Sequence, residues 1–533
     1  MGSVPLLFQV VKKAMLYFQS EYQAEEADQL RNLFGIEIPS VCLPDIRPDS
    51  ILQLAEVYIQ RNEYQTLYLN PKTATWCYLN EDEAELCENL ASLISFSELA
   101  GRVELPSGEI ARKFFIQLYK LALLKIDGTT GIDETIYARG PLFERRYLIE
   151  LLLTEKCNLA CMHCFANARP NRETMSLDVA RRAIDKAMEL PSDCPEIEFA
   201  GGEPFCELDL LKELVEYIES AAQAAGKRVE IIAQSNGTLL TEEVLQLIGT
   251  AEKMEVGVSL DGPRNINDRV RFFASDEGSY DSIAEGLKRH RNILGNLPGI
   301  VTVVHRYNWD KAQEVLEFFD ALGVTKLRFN PILRLGRANS KWSQIGITPE
   351  EYFRFMKEVV EYIGSNSSLE ETNLEIMARN LVMRRRDFRC MRSPCGAGFD
   401  YIVVAPNGDL FPCAKFTDRG ELCLGNLSQV NSLEHCFLNN PLVMEMADRL
   451  VGNIEECRDC LWRHFCEGEC SLGAYTTYGS LYKPSPLCEF YKRMYPYLMD
   501  YLGSNPDVIC RFVPEAVSHR FMRPPKGDMS VLC

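Results

Sequence analysis

From residue 148 onward short apolar runs alternate with longer amphipathic stretches. The runs fall at 148–154, 196–200, 229–233, 254–260, 300–305 and 325–330, and stretches such as 176–190 and 208–222 have helical spacing between them. Six β-then-α units of this kind predict a parallel sheet. Such a sheet bends into a partial barrel that holds ligands at the C-terminal ends of its strands. The N-terminal third reads differently. Residues 66–70 and 74–80 are β-prone runs joined by Pro71-Lys72-Thr73, a hairpin signal, and helices are expected at 81–94, 97–101 and 106–124, the last closed by Lys125. Residues 6–11 suggest a strand and 50–61 have helical spacing. A polar, Gly-rich stretch over 128–145 reads as a linker, and a charged helical connector runs from 340 to 386.

Candidate chemistry enters directly after the first apolar run of the repeating region. Cys157, Cys161 and Cys164 stand at a C-x3-C-x2-C spacing, followed by Phe165. Three thiolates on one short loop can hold three corners of a four-iron cluster and leave the fourth iron open to a small molecule. A zinc knuckle completed by His163, or plain buried thiols, are the alternatives. Polar or Gly-rich turns follow the next three runs: Gly201-Gly202-Glu203-Pro204, Gln234-Ser235-Asn236-Gly237 and Ser259-Leu260-Asp261-Gly262-Pro263. Glycines there let backbone approach a ligand closely, and Glu203 can meet an ammonium. A second cysteine field runs Cys390, Cys395, Cys413, Cys457, Cys460, Cys466, Cys470 and Cys488. Zinc is again the alternative for its C-x2-C pair.

The totals narrow the setting. At 533 residues the chain is long enough for two to four domains. A net charge of −19 argues against phosphate backbones as partners. Nine acids against six Lys and Arg over 64–128 disfavour DNA as the partner of that unit. No apolar run reaches the roughly 20 residues of a membrane span, and no signal-peptide core opens the chain. The expected setting is cytoplasmic, away from any membrane. There, 20 cysteines indicate metal ligation or redox chemistry before disulfides. Cys42, Cys77 and Cys87 read as core thiols, and Cys423, Cys436, Cys510 and Cys533 fit no ligand slot.

A strand, then CxxxCxxC, then an aromatic residue resembles the radical S-adenosylmethionine (SAM) superfamily. The seven-cysteine series from Cys395 to Cys488 is similar to the SPASM extension of peptide and sulfatase maturases. The hairpin and three helices of 64–128 resemble a winged-helix-like element by which such maturases hold a leader peptide through strand addition. The fold class so implied is α/β: a partial (β/α)6, TIM-like barrel with an N-terminal winged-helix-like domain and a C-terminal iron-sulfur SPASM domain. Its expected parts are an N-terminal extension (1–63), the recognition element (64–128), the barrel (140–345), a helical connector (346–389), the auxiliary-cluster domain (390–500) and a C-terminal tail (501–533).

The resemblance implies residue roles as well. Cys157, Cys161 and Cys164 would carry the SAM-binding [4Fe-4S] cluster, and the Gly201, Gly202, Glu203, Pro204 motif would take the methionyl amine. Ser235, Asn236, Ser259 and Asp261 would contact the ribose and carboxylate. Arg271, in a stretch with Asp268 and Ser279, would pair with the SAM carboxylate or form a surface salt bridge, and Leu335 with Gly336 would meet adenine. Cys395, Cys413 and Cys470, completed by Cys390, would hold a first auxiliary [4Fe-4S] cluster, and Cys457, Cys460, Cys466 and Cys488 a second. Three clusters in all and SAM are the implied cofactors. The implied function is reductive cleavage of SAM to a 5′-deoxyadenosyl radical that installs an oxidative thioether or C–C cross-link in a ribosomally made precursor peptide. A flavodoxin or ferredoxin would donate electrons. The alternatives are a sulfatase-maturase-like or peptide-derived-cofactor enzyme and, from another class, a SAM-binding iron–sulfur electron-transfer or sensor protein. Asp261, Asp400 and Glu469 are proton-acceptor candidates by residue type alone.

Overall fold

The computed structural model describes residues 43–513 apart from 63–64, 104, 106–107, 133–145, 171, 252, 366, 383–387, 435–438 and 506–507. The strand expected at 6–11, most of the linker and most of the C-terminal tail lie outside the described residues.

Residues 50–61 form two strands in place of the expected helix. β1 (Ile51–Leu54) and β2 (Tyr58–Arg61) are each four residues long. The reason is non-local pairing. β3 (Thr66–Asn70) and β4 (Thr75–Leu79) make the expected hairpin, and β2 joins β3 as an outer strand. β1 lies between β5 (Ile94–Ser95) and β6 (Leu124–Ile126), both antiparallel to it. Leu52 is buried while Ile51 is exposed, the alternation a strand imposes. The Asp127 carboxylate accepts from the Ile51 N–H and the Ser50 hydroxyl. Helices Glu81–Glu88 and Phe96–Arg102 start on capping boxes at Asn80 and Ser95. The third helix, Gly108–Lys120, ends before Lys125, which lies in β6 and closes no helix.

The main sheet has ten strands in the order β13-β12-β11-β10-β9-β8-β7-β14-β15-β16. Its centre is six parallel strands in sequence order: β7 (Leu148–Thr154), β8 (Glu196–Gly201), β9 (Glu230–Ser235), β10 (Met254–Ser259), β11 (Gly299–Val304) and β12 (Lys326–Pro331). The sheet does not close. β13 (Glu370–Glu371) pairs with β12, and β14 (Tyr401–Val404) pairs parallel with β7. β14 then continues antiparallel into β15 (Asp409–Phe411) and β16 (Gly425–Asn426), so the C-terminal cysteine field is built on the edge of the main sheet.

Period-two alternation decides the two faces of this sheet. Ile149, Leu151, Leu153, Ile197, Phe199, Ile231, Leu327 and Phe329 enter one large core with Leu211, Leu214, Val315 and Phe319 of the flanking helices. Alternate positions carry Glu150, Glu198, Gln234, Ser259, Arg328 and Asn330 to the other face. β4 meets the C-terminal region through side chains: the Trp76 indole N–H donates to the Leu381 carbonyl, and the Tyr78 hydroxyl donates to Asp500.

Candidate active site

The cysteine loop leaves the C-terminal end of β7. Cys157 and Cys161 are buried and Cys164 is half-buried. The loop is closed by short-range bonds such as Glu155 N–H to Glu173 O (2.9 Å) and Arg169 N–H to Glu155 O (3.2 Å). The segment after β10 braces it from outside, since Ala160 N–H donates to Phe272 O and Met162 N–H to Val270 O, each at 2.8 Å. Burial pushes the Cys157 thiol up to about 11, against a hydrogen bond from Leu159 N–H. It pushes Cys161 up to about 12, with Arg271 pulling the other way. Each of the two thiols also feels the other or Cys164 electrostatically, so the three converge. Free, the two buried thiols are protonated at neutral pH, and binding to iron displaces those protons.

Among the described residues, no three His, Cys, Asp or Glu side chains meet closely enough for one metal ion. A four-iron cluster asks for wider spacing, because each thiolate binds a different iron. His163 lies against Asp261 and His305. Its Nε2 stands 3.5 Å from Asp261 and its ring 5.9 Å from that of His305. Burial pushes the His163 imidazole down to about 3.

The strand ends enclose the space beside the thiols. Gly201 has φ +125°, and a Cβ there would sit 2.2 Å from the Thr154 carbonyl oxygen. At Gly202 the same atom would sit 2.0 Å from Lys156 O, so only glycine lets the turn lie against the entry to the cysteine loop. Glu203 is fully buried and accepts from Ser235 Oγ (2.9 Å), Asn236 N–H (2.6 Å) and Phe205 N–H (3.2 Å). Burial raises its carboxyl to about 7 against those three donors. Pro204 opens the short 3-10 turn Pro204–Glu207. Asn236 reaches the cysteine loop, donating to Asn158 Oδ1 at 2.8 Å and to Cys157 Sγ at 3.7 Å. Ser259 Oγ accepts from Gln234 at 3.3 Å.

Arg271 is buried, and its guanidinium forks onto Asp261 at 2.8 and 3.2 Å. Asp261 also accepts from Val303 N–H at 2.9 Å. Burial alone would raise this carboxyl, but Arg271 foremost, then His163 and His305, holds it well below the carboxylate range. Asp261 is accordingly a weak base. Asp268 and Ser279 shape the same turn, accepting from Tyr280 N–H and donating to Arg271 O respectively. Leu335 is buried and packs with Ala397, Val403 and Phe411 of the C-terminal unit, at the start of helix Gly336–Ile345.

The later cysteines gather into two groups. Cys395 is pushed up to about 12 by burial and then by the Cys390 thiol, and Cys470 also acts on it. Burial, Cys470 and Cys395 raise Cys413 well above its ordinary value. Cys390 is the exposed member of this quartet. In the other group burial and then Cys460 and Cys488 push Cys457 up to about 12. Cys457, Cys460, Cys466 and Cys488 line one small pocket with Trp462 and Tyr491. Cys466 and Cys470 belong to different groups, and three successive residues between them, Glu467, Gly468 and Glu469, have φ of +53°, +71° and +48°. Cys77 and Cys87 are buried in the N-terminal core, and Cys423 bonds to Gly425 O. Cys42, Cys436 and Cys533 lie outside the described residues.

Sequence reasoning misses several residues of this region. Arg449 is buried and donates to the carbonyls of Leu481, Gly468, Glu469 and Lys483, which fixes the link between the two cysteine groups. The Tyr401 hydroxyl donates to Glu150, and Glu150 pairs in register with Glu198 on the inner face of the sheet. Two Glu in register inside apolar strands are a readable signal, whereas nothing local marks Arg449.

The described residues thus combine a parallel α/β sheet, a three-thiol loop after its first strand, glycine-lined strand ends and two further thiol groups. The chain matches the family model of the radical SAM superfamily over residues 151–319 and that of the iron-sulfur cluster-binding SPASM domain over 395–461. It carries a radical SAM domain and a SPASM domain, and its relatives include enzymes such as maturases and synthases. It is 25% identical to mycofactocin maturase MftC of Mycolicibacterium smegmatis, over 63% of this chain and 81% of that protein. It is 27% identical to the antilisterial bacteriocin subtilosin biosynthesis protein AlbA of Bacillus subtilis, over 69% and 72%. Among solved structures, anSMEcpe with bound AdoMet superposes with a TM-score of 0.61 at 19% identity, over 70% of this chain and 97% of that one, which establishes a shared fold. Among the described residues, no helix is long and apolar enough to cross a membrane.

Proposed function

We propose that this enzyme is a peptide maturase that installs an oxidative intramolecular cross-link, thioether or C–C, in a ribosomally synthesised precursor peptide. The observation that carries the reading is the pair of thiol quartets behind the strand-end site. A reaction that joins two side-chain positions must remove two hydrogens, and two further clusters give the second electron a route out. The similarity to mycofactocin maturase and to a bacteriocin biosynthesis protein supports a peptide as substrate.

In this reading Cys157, Cys161 and Cys164 hold the SAM cluster, Cys390, Cys395, Cys413 and Cys470 the first auxiliary cluster, and Cys457, Cys460, Cys466 and Cys488 the second. SAM bound at the first cluster supplies a 5′-deoxyadenosyl radical that takes one hydrogen atom from the peptide. The Gly201-Gly202 turn gives backbone access to SAM, and the buried Glu203, Ser235 and Asn236 set tie that turn to Cys157. Arg271 and Asp261 neutralise each other and fix the turn that braces the cysteine loop. Residues 64–128 serve as a winged-helix-like holder for the leader. Among the described residues β2, which precedes this unit in the chain, is the outer strand of its three-stranded sheet and alternates between half-buried and exposed positions, which supports strand addition along it. A flavodoxin or ferredoxin supplies electrons.

The test is anaerobic co-expression with a short peptide encoded beside the gene, followed by mass spectrometry. Loss of two hydrogens per cross-link is expected, and it should vanish when Cys157, Cys161 and Cys164 are replaced by Ala. An unchanged peptide mass in the presence of intact clusters would refute the peptide reading.

A further inference from the structure

The turn after β12 touches the cysteine loop at more points than any expected role in binding adenine requires. Gly336 has φ +50°, and a Cβ there would lie 2.3 Å from Phe165 O and 2.5 Å from Cys164 O, so its backbone lies directly on the loop. The next residue then bonds to it three times. Arg337 N–H donates to Cys164 O at 3.0 Å, its Nε to Cys161 O at 2.9 Å, and its Nη1 to Ala168 O at 2.6 Å. Among the described residues no carboxylate forms an ion pair with Arg337, and its guanidinium bonds to these loop carbonyls. Charge-assisted bonds of this kind are about twice as strong as neutral ones, and the planar fork fixes direction as well as distance.

Asn236 holds the start of the loop at Cys157 and Asn158, and other elements hold its later part. The 270–273 segment braces it at Ala160 and Met162, and Arg337 grips it at 161, 164 and 168 from the end of β12. We propose that Arg337 is a positioning residue of the cysteine loop, locking the carbonyls of Cys161, Cys164 and Ala168 so that the thiols keep a fixed distance and orientation to the strand ends. Its bonds go to loop carbonyls, and it acts through the loop. Because Leu335 and Gly336 belong to the same turn, Arg337 also fixes the loop relative to the segment expected at adenine. The proposal rests on the assignment of a cluster to Cys157, Cys161 and Cys164 and is independent of the substrate.

The test uses the full-length, reconstituted enzyme as Arg337→Gln and Arg337→Lys, with Lys341→Gln on the same helix as control. Two readouts are taken: the change that SAM causes in the electron paramagnetic resonance spectrum of the reduced enzyme, and the SAM concentration dependence of 5′-deoxyadenosine release without peptide. Outer partners of metal ligands are commonly worth 10–100-fold in affinity or activity. In Arg337→Gln the SAM-induced spectral change should be lost or altered, and the SAM concentration for half-maximal cleavage should rise on the order of 10-fold. Arg337→Lys keeps the charge, reaches fewer carbonyls, and should fall between. Wild-type spectra and SAM dependence in Arg337→Gln, with only a lowered melting temperature, would overturn the proposal. Should that variant fail to fold, an Arg337→Lys enzyme indistinguishable from wild type in both readouts would overturn it equally. A wild-type enzyme with no SAM-responsive signal would overturn the cluster assignment and this proposal together.

Discussion

Gly202 and Glu150 show how much a single side chain decides here. A methyl group at Gly202 would meet the Lys156 carbonyl oxygen at 2.0 Å, a backbone atom that cannot swing aside. Gly202→Ala should therefore displace the entry to the cysteine loop, cost ~1–3 kcal/mol in strain, and abolish SAM binding by calorimetry. Glu150 poses an electrostatic problem. Burial, and then the neighbouring Glu198, push its carboxyl from 4.5 up to about 8, against the hydrogen bond from Tyr401. A carboxyl whose folded value lies above its unfolded one stabilises fully below the unfolded value, and that stability is lost as pH rises through the folded value. The melting temperature of the wild type should accordingly fall between about pH 4.5 and 8, and Glu150→Gln should flatten that fall. A mutant as steep as wild type would show that Glu150 does not titrate there.

Elements that carry cysteines are held by partners distant in sequence. The five-residue link from Cys466 to Cys470 runs through three left-handed residues, two of them Glu, a conformation unfavourable outside glycine. Arg449, whose guanidinium binds four carbonyls in this region, holds the link in place. Each carbonyl left buried without a donor costs ~1–3 kcal/mol. Arg449→Met should lower both iron content and melting temperature while 5′-deoxyadenosine release without peptide continues. Unchanged iron content would show that the link holds itself. The six barrel strands were legible in the sequence because their apolar runs are long and separated by amphipathic helices, and the observed strands lie within two residues of them. β1 and β2 were not, because Ser50 to Arg61 satisfies helical spacing locally and only pairing with β5, β6 and β3 turns it into strand.

Across the molecule, the N-terminal unit docks through β4 onto helix Thr372–Val382 and helix Cys488–Ser504. The second of these helices begins at Cys488, a member of the second cysteine group. The Phe465 carbonyl, next to Cys466, accepts from Asn380 of the first helix and Tyr495 of the second. Tyr78→Phe combined with Trp76→Phe should raise hydrogen exchange in residues 75–79 and 496–503 without changing SAM cleavage in the absence of peptide. If exchange stays at the wild-type level, packing alone holds the unit. The sequence by itself determined the cysteine loop, the glycine-rich strand ends and the order of the later cysteines, because ligand spacing, turn chemistry and hydrophobic period are local properties of the chain. Tertiary structure alone decided the pairing of Arg271 with Asp261 and the grip of Arg337 and Arg449 on distant carbonyls. Those contacts join residues 10 to about 176 positions apart, and the free energy of a buried charge or a shared carbonyl depends on what the fold brings beside it.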